Sequence, residues 1–178
     1  LVSNAFFPKQ VRAFVEPVIE VEAARWLERI AGQPRVDLVQ AFTRPYPFSV
    51  ITRLLGIPVL DDERFLEWAI KLIDFPWDPA GAMRAKAEFD AYMIPLIAAR
   101  RAQPGSDVVS LLAGASLEGA QLGDEEILAF CRLLFPAGSD TTYKNLGSLL
   151  AAVLADPQLC ERARGSDADR EALVQEGL

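Results

Sequence analysis

The run Ala137-Gly138-Ser139-Asp140-Thr141-Thr142 places proton-handling side chains beside a flat stretch of backbone. An aspartate next to a threonine hydroxyl is an acid–alcohol pair able to pass protons between water and a reactant. Glycine removes side-chain bulk, so a flat ligand can approach the main chain closely. A threonine hydroxyl can also bond back to the carbonyl one turn earlier and bend a helix. None of these residues is a natural choice for a helix interior, and Pro136 directly precedes them. Yet apolar residues at helical spacing flank the patch on both sides. Ile127, Leu128, Phe130, Leu133 and Leu134 lie upstream, and Leu146, Leu149, Leu150, Val153 and Leu154 lie downstream. Local weakness joined to chemical richness is the pattern of a functional site. The competing reading is a helix boundary, in which Ser139, Asp140 or Thr141 caps a second helix after a break at Pro136-Ala137-Gly138.

The elements that must position this patch read as helices joined by short Pro/Gly punctuation. Residues 9 to 31 carry Val11, Val15, Val18, Ile19, Ala23, Trp26, Leu27 and Ile30 on one stripe, with Pro17 as a kink or boundary. Residues 38 to 55 are helical in pattern but split by Pro45 and Pro47, and Gly56 with Pro58 makes the stop. Asp61 and Asp62 open the next helix, and Phe75-Pro76-Trp77-Asp78-Pro79 forms a loop. A helix over 80–102 is disturbed by Pro95 and ends at Arg100-Arg101, where cations suit the dipole. A short apolar turn, Val108 to Leu112, follows. Asp124-Glu125-Glu126 then starts the long helix, which runs to about Ala155 and spans about 45 Å. No strand-like alternation and no hairpin dipeptide is present.

Hydrophobic residues make up 51% and charged residues 24%, the balance of an ordinary globular chain. A net charge of −7 argues against a nucleic-acid partner, which calls for a basic face. No segment reaches the ~18 uninterrupted apolar residues of a membrane span. With no histidine in the chain, His-based metal sites and Ser-His or Cys-His catalysis are excluded within it. Cys131 and Cys160 lack a glycine-rich, amide-donating loop around the sulfur, so neither reads as a metal-binding thiolate, and no metal ligand is expected in this chain. The acidic runs Asp61-Asp62-Glu63 and Asp124-Glu125-Glu126 are adjacent carboxylates that point different ways. They read as helix caps rather than as a magnesium-diphosphate site.

Ala-Gly-Ser-Asp-Thr-Thr resembles the oxygen-binding signature at the centre of the long I helix of the cytochrome P-450 haem-thiolate monooxygenases. The neighbouring segments resemble the same family. Leu1-Val2-Ser3-Asn4-Ala5-Phe6-Phe7-Pro8 is similar to the segment after helix C in bacterial members. Asp37-Leu38-Val39 through Pro47, Val50-Ile51 and Leu54-Leu55-Gly56-Ile57-Pro58 are similar to helix E and its exit. Ala155-Asp156-Pro157-Gln158 resembles the step from helix I to helix J, and Glu176-Gly177-Leu178 the start of the helix K Glu-x-x-Arg motif. The resemblance covers the whole chain, while the chain covers only the middle of the family's fold.

The fold class implied is all-α, the central helical portion from about helix D to helix K with the long I helix through it. Residues 1–178 are expected to be one partial domain truncated at both ends. The function implied is haem-dependent monooxygenation, in which dioxygen is activated to hydroxylate an apolar organic substrate, with the fragment alone inactive. The cofactor implied is haem b, with its axial cysteine outside this chain. Partners implied are an apolar small molecule, dioxygen and a ferredoxin- or flavodoxin-type electron donor, in a cytoplasmic protein. Asp140 and Thr141 are implied as the catalytic proton relay, with Ala137, Gly138 and Thr142 against the cofactor. Small residues also serve tight helix–helix packing, so that reading of Ala137 and Gly138 stays open. Phe130 and Leu133, with Leu72, Phe75 and Trp77 where the family's F–G lid begins, are candidates to line the substrate pocket or simply core residues. Phe6 has the same standing near the haem edge. Glu176 is implied as the acidic, structural member of the Glu-x-x-Arg pair. The rival from another class is a non-catalytic, all-helical ligand-binding or regulatory module in which the patch is only a helix break.

Overall fold

The computed structural model describes residues 16–58, 62–117 and 119–177. Helix α1 (Glu16–Ile30) begins with Pro17 in its first turn, where a missing amide hydrogen costs nothing. The expected stripe on this helix needs correction. Glu22 and Trp26 are buried, whereas Ile19 and Leu27 are exposed. The Glu22 carboxylate meets Arg53 of the next helix, with Arg25 at 3.5 Å, and Trp26 Nε1 donates to Ser49 Oγ at 2.8 Å. Burial of a charge is tolerated here because cations accompany it. Val11 and Val15 lie outside the described residues, as do Phe6, the segment Leu1–Pro8 and Asp61.

A π-helical turn (Val39–Thr43) leads into helix α2 (Pro45–Leu54). The split falls before Pro45, and Pro47 sits harmlessly in the first turn of α2. Gly56, at φ +73°, stops the helix, and a side chain there would run into the Asp107 carboxylate. Helices α3 (Asp62–Ile73) and α4 (Pro79–Ala102) form an antiparallel-connected pair around the Asp74–Asp78 loop. Asp78 caps α4 by accepting from the Gly81 amide at 2.9 Å. Pro95 lies within α4 without ending it. Helix α5 (Val108–Ala113) is capped by Asp107, and a two-residue antiparallel ladder follows, β1 (Ser116–Leu117) with β2 (Ala120–Gln121). Two residues are too short to show alternation, and Gly119 at φ +87° makes the turn.

Helix α6 (Asp124–Ala155) runs unbroken for 32 residues. Its three opening carboxylates take three different partners. Asp124 pairs with Arg101 at 2.8 Å, Glu125 with Arg132 at 2.6 Å, and Glu126 accepts from the Gly123 amide at 2.7 Å. Helices α7 (Pro157–Ala163) and α8 (Asp167–Glu176) close the order, capped by Asp156 and Ser166.

The core is the seam where α6 meets α2, α3 and α4. Ile127, Cys131 and Phe135 face it from α6, and Phe89, Met93 and Ile97 from α4, each set at i, i+4, i+8 spacing. Phe48 and Phe65 meet Phe135 edge-on, and Trp68 meets Phe89 the same way. Each fully buried ring is worth about 1.5–3 kcal/mol in transfer from water. Arg132 also bonds Asp90 of α4 at 2.7 Å, clamping the two long helices together. These contacts fix the register of α6 and hence where residues 137–142 stand.

Candidate functional site

The hexapeptide lies within the continuous α6, so no cap forms at Ser139, Asp140 or Thr141 and the helix-boundary reading fails. Its hydroxyls instead satisfy themselves along the helix. Ser139 Oγ donates to the Phe135 carbonyl at 2.6 Å, Thr141 Oγ1 to Ala137 at 2.8 Å and Thr142 Oγ1 to Gly138 at 2.9 Å. Pro136 has no amide hydrogen to offer Arg132 one turn earlier. Missing donor and back-bonded hydroxyls together weaken the main-chain hydrogen bonding of the helix here.

Helical phase sorts the residues onto different faces. Ser139 continues the fully buried row of Ile127, Cys131 and Phe135. Gly138 faces α2, where an added Cβ would stand 3.0 Å from Ile51 Cδ1. Leu133, Ala137 and Thr141, at i, i+4, i+8 spacing, form an exposed stripe that no described element covers, with Leu133 68% exposed. The small Ala137 side chain and the Thr141 hydroxyl therefore share one open face.

Asp140 lies beside this stripe, and its Oδ2 accepts from Lys144 Nζ at 2.6 Å. That bond holds the Lys144 ammonium above the ordinary lysine range. Asp140 and Lys144 are a carboxylate–lysine pair at i, i+4 spacing, a pattern common on solvated helix faces. The Asp140–Thr141 pair is not directly bonded, and proton exchange between them requires the carboxylate to turn.

The five pocket candidates separate. Leu72 and Phe130 pack against the hydrophobic core. Leu133 stands on the open stripe, and Phe75 and Trp77 are exposed on the α3–α4 loop, Trp77 at 80%. None of the five lines the cavity of about 640 Å³ bounded by Trp26, Arg29, Arg44, Phe48, Leu66 and Ile70, which also lacks Asp140 and Thr141. The chemistry-bearing face and this cavity are separate places.

Glu176 receives two bonds from the Arg162 guanidinium, at 3.0 and 2.8 Å, and they hold its carboxyl below the ordinary range. Asn145 Nδ2 donates to the Gly177 carbonyl at 2.8 Å, tying the end of α8 to α6 just beyond the signature. Cys131 is fully buried and burial pushes its thiol up to about 12, the opposite of what a thiolate ligand needs. Cys160 is half-buried on α7, away from the stripe. Among the described residues, no helix is long and apolar enough to cross a membrane.

No family model matches the chain. Similar curated proteins include erythromycin C-12 hydroxylase from Saccharopolyspora erythraea, 35% identical over 185 residues covering 100% of this chain and 46% of that protein. Cytochrome P-450 CYP107DY1 from Priestia megaterium is 33% identical over 181 residues, covering 100% of the chain and 44% of that protein. Among solved structures, CYP108D1 from Novosphingobium aromaticivorans matches with a TM-score of 0.84 at 27% identity, over 99% of this chain and 43% of that one. The cytochrome P-450 PksS of the Bacillus subtilis bacillaene polyketide synthase matches with a TM-score of 0.81 at 31% identity, over 91% of this chain and 42% of that one. The chain thus spans somewhat under half the length of the relatives it matches.

Proposed function

Because this chain belongs to the cytochrome P-450 family and carries the central helical portion of its fold, we propose that it serves a haem-dependent monooxygenase that activates dioxygen and hydroxylates an apolar organic substrate. The observation that carries this reading is the open stripe of α6, where Ala137 and Thr141 share an exposed face with Asp140 beside it. Those residues fit a planar cofactor: a small side chain permits close approach, and hydroxyl and carboxylate stand at its edge. Haem b, when bound there, would supply the dioxygen chemistry. Its axial thiolate comes from a cysteine outside this chain, consistent with the buried, high-pKa Cys131.

The residues of this chain then divide the work. Ala137 forms the wall against the cofactor, with Thr142 flanking it. Gly138 lets α6 approach Ile51 closely, which keeps that wall in register. Thr141 Oγ1 hands its proton to the reacting face and regains one from the Asp140 carboxyl, which exchanges with water. Leu133, on the open stripe, lines the apolar side of the substrate space, with Phe75 and Trp77 contributing from the α3–α4 loop, while Phe130 and Leu72 support it from the core. Glu176, held by Arg162, is structural. The relative named for hydroxylating erythromycin supports hydroxylation as the reaction type. Electrons come from a ferredoxin- or flavodoxin-type donor, and the protein works in the cytoplasm.

The test is Asp140→Asn and Thr141→Ala in the haem-loaded protein that contains this chain. Asp140→Asn is expected to slow product formation by about 10²–10⁴-fold, the usual reach of a general acid. Thr141→Ala is expected to keep consuming reductant while product falls. Parental turnover and parental product yield in both variants would sink the relay.

A further inference from the structure

The cavity between α1, the π-helical turn, the start of α2 and α3 has no part in the chemistry of the α6 face. Trp26 and Phe48, both buried, join Leu66 and Ile70 in an apolar wall. Its volume of about 640 Å³ is that of a small-molecule pocket. The rest of the lining is charged or polar. Arg29 and Gln40 are exposed, Arg44 is half-buried, and Glu67 and Lys71 stand on the α3 side. Lys71 is matched by Asp78 at 3.0 Å. The two guanidiniums have no such match. Arg29 lies over the Trp26 ring at 4.5 Å, which satisfies the face of the guanidinium and leaves its N–H edge for an acceptor. Arg44 Nη1 donates to Gln40 Oε1 at a long 3.4 Å. Among the described residues, neither arginine has a carboxylate partner.

We propose that this cavity is a second ligand site, separate from the Ala137–Thr141 face, for a small apolar molecule that carries one carboxylate. The apolar body packs among Trp26, Phe48, Leu66 and Ile70, and the carboxylate accepts from the guanidinium edges of Arg44 and Arg29. Water is a poor occupant of the apolar wall, because an ordered water needs two to four polar partners. The charge on the lining selects the sign of the ligand. With Lys71 matched by Asp78, Arg29 and Arg44 set against Glu67 leave one positive charge, which a monoanion balances. A planar guanidinium fork suits the two oxygens of a carboxylate better than a point charge does. Glu67 repels a second anionic group at the α3 side, so a dicarboxylate fits less well. The site draws on neither Asp140 nor Thr141, and it stands or falls independently of the proton relay.

Isothermal titration calorimetry of the intact, haem-loaded protein that contains this chain tests the assignment without any turnover. The probes are naphthoate and naphthamide, which share one apolar ring system and differ in charge. Naphthoate is expected to bind at least about tenfold more tightly than naphthamide. Arg44→Gln is expected to weaken naphthoate by about tenfold, and Arg29→Gln, at the more exposed position, by about threefold. Naphthamide binding should stay at the parental level in both variants. Ile70→Trp, which fills the cavity from the α3 wall, is expected to abolish binding of either probe. Where that variant fails to fold, the two arginine variants carry the test alone, since neither side chain is part of the buried core. Equal affinity for the two probes would overturn the carboxylate reading. Naphthoate binding that neither arginine variant changes, or no binding at about millimolar naphthoate, would overturn the site.

Discussion

Replacing Gly138 by alanine asks whether that position is held for packing against α2. Alanine is favoured over glycine within a helix by about 0.8–1 kcal/mol. Against this gain, the added Cβ would stand 3.0 Å from Ile51 Cδ1 and 3.5 Å from Cγ1. Ile51 is only 5% exposed and has little room to retreat. Overpacking of this sort costs about 1 kcal/mol at its mild end, so Gly138→Ala alone should change stability by less than about 0.5 kcal/mol. Ile51→Val deletes Cδ1 itself, at a cost of about 0.5–1.5 kcal/mol, and leaves only the ordinary 3.5 Å contact. With that methyl gone the alanine gain is uncovered and the new cavity is partly filled. The double variant should therefore exceed the sum of the single effects by about 1 kcal/mol, within the usual range for touching residues. Chemical denaturation of the four proteins measures it. Additivity within about 0.3–0.5 kcal/mol would refute the contact and the reason given for glycine at this position.

Two other predictions follow from titratable groups. Cys131, with its thiol pushed up to about 12, should resist alkylation in native protein at neutral pH while half-buried Cys160 reacts. Mass spectrometry counts the labels, and comparable rates at both cysteines would contradict the packing of the core. Glu176 has a depressed carboxyl, so its ion pair with Arg162 stabilises the fold fully above the ordinary value of 4.5 and is lost as pH falls through the lower folded value. Glu176→Gln should flatten the stability–pH curve between 4.5 and that lower value; an unchanged slope there would mean the pair contributes nothing.

Much of the fold was legible because its signals are local. The apolar rows on either side of Pro136 share one helical spacing, and Gly56 marks a helix end by chemistry that needs no distant partner. The signature Ala137–Thr142 was legible for the same reason, as polar and small residues in an apolar helix. What escaped depended on residues far apart in the chain. Burial of Glu22 makes sense only once Arg53 is alongside, and the sequence pattern placed Leu27 inward instead. The face of Gly138 is set by Ile51, 87 positions earlier, and no local pattern distinguishes that contact from an open wall. The β1–β2 ladder was invisible because two residues carry no period. Lys144 is the exception, a local partner at helical spacing that reads equally well as a solvated surface pair until its bond to Asp140 is seen.

The most direct measurement is the carbon monoxide difference spectrum of the reduced, intact protein that contains this chain. The red-shifted Soret band characteristic of thiolate-ligated haem is the result expected, and it should persist in Asp140→Asn and Thr141→Ala, which alter proton delivery and not iron ligation. Well-folded protein that binds no haem would contradict the monooxygenase reading and leave α6 as a packed helix with an uncovered face.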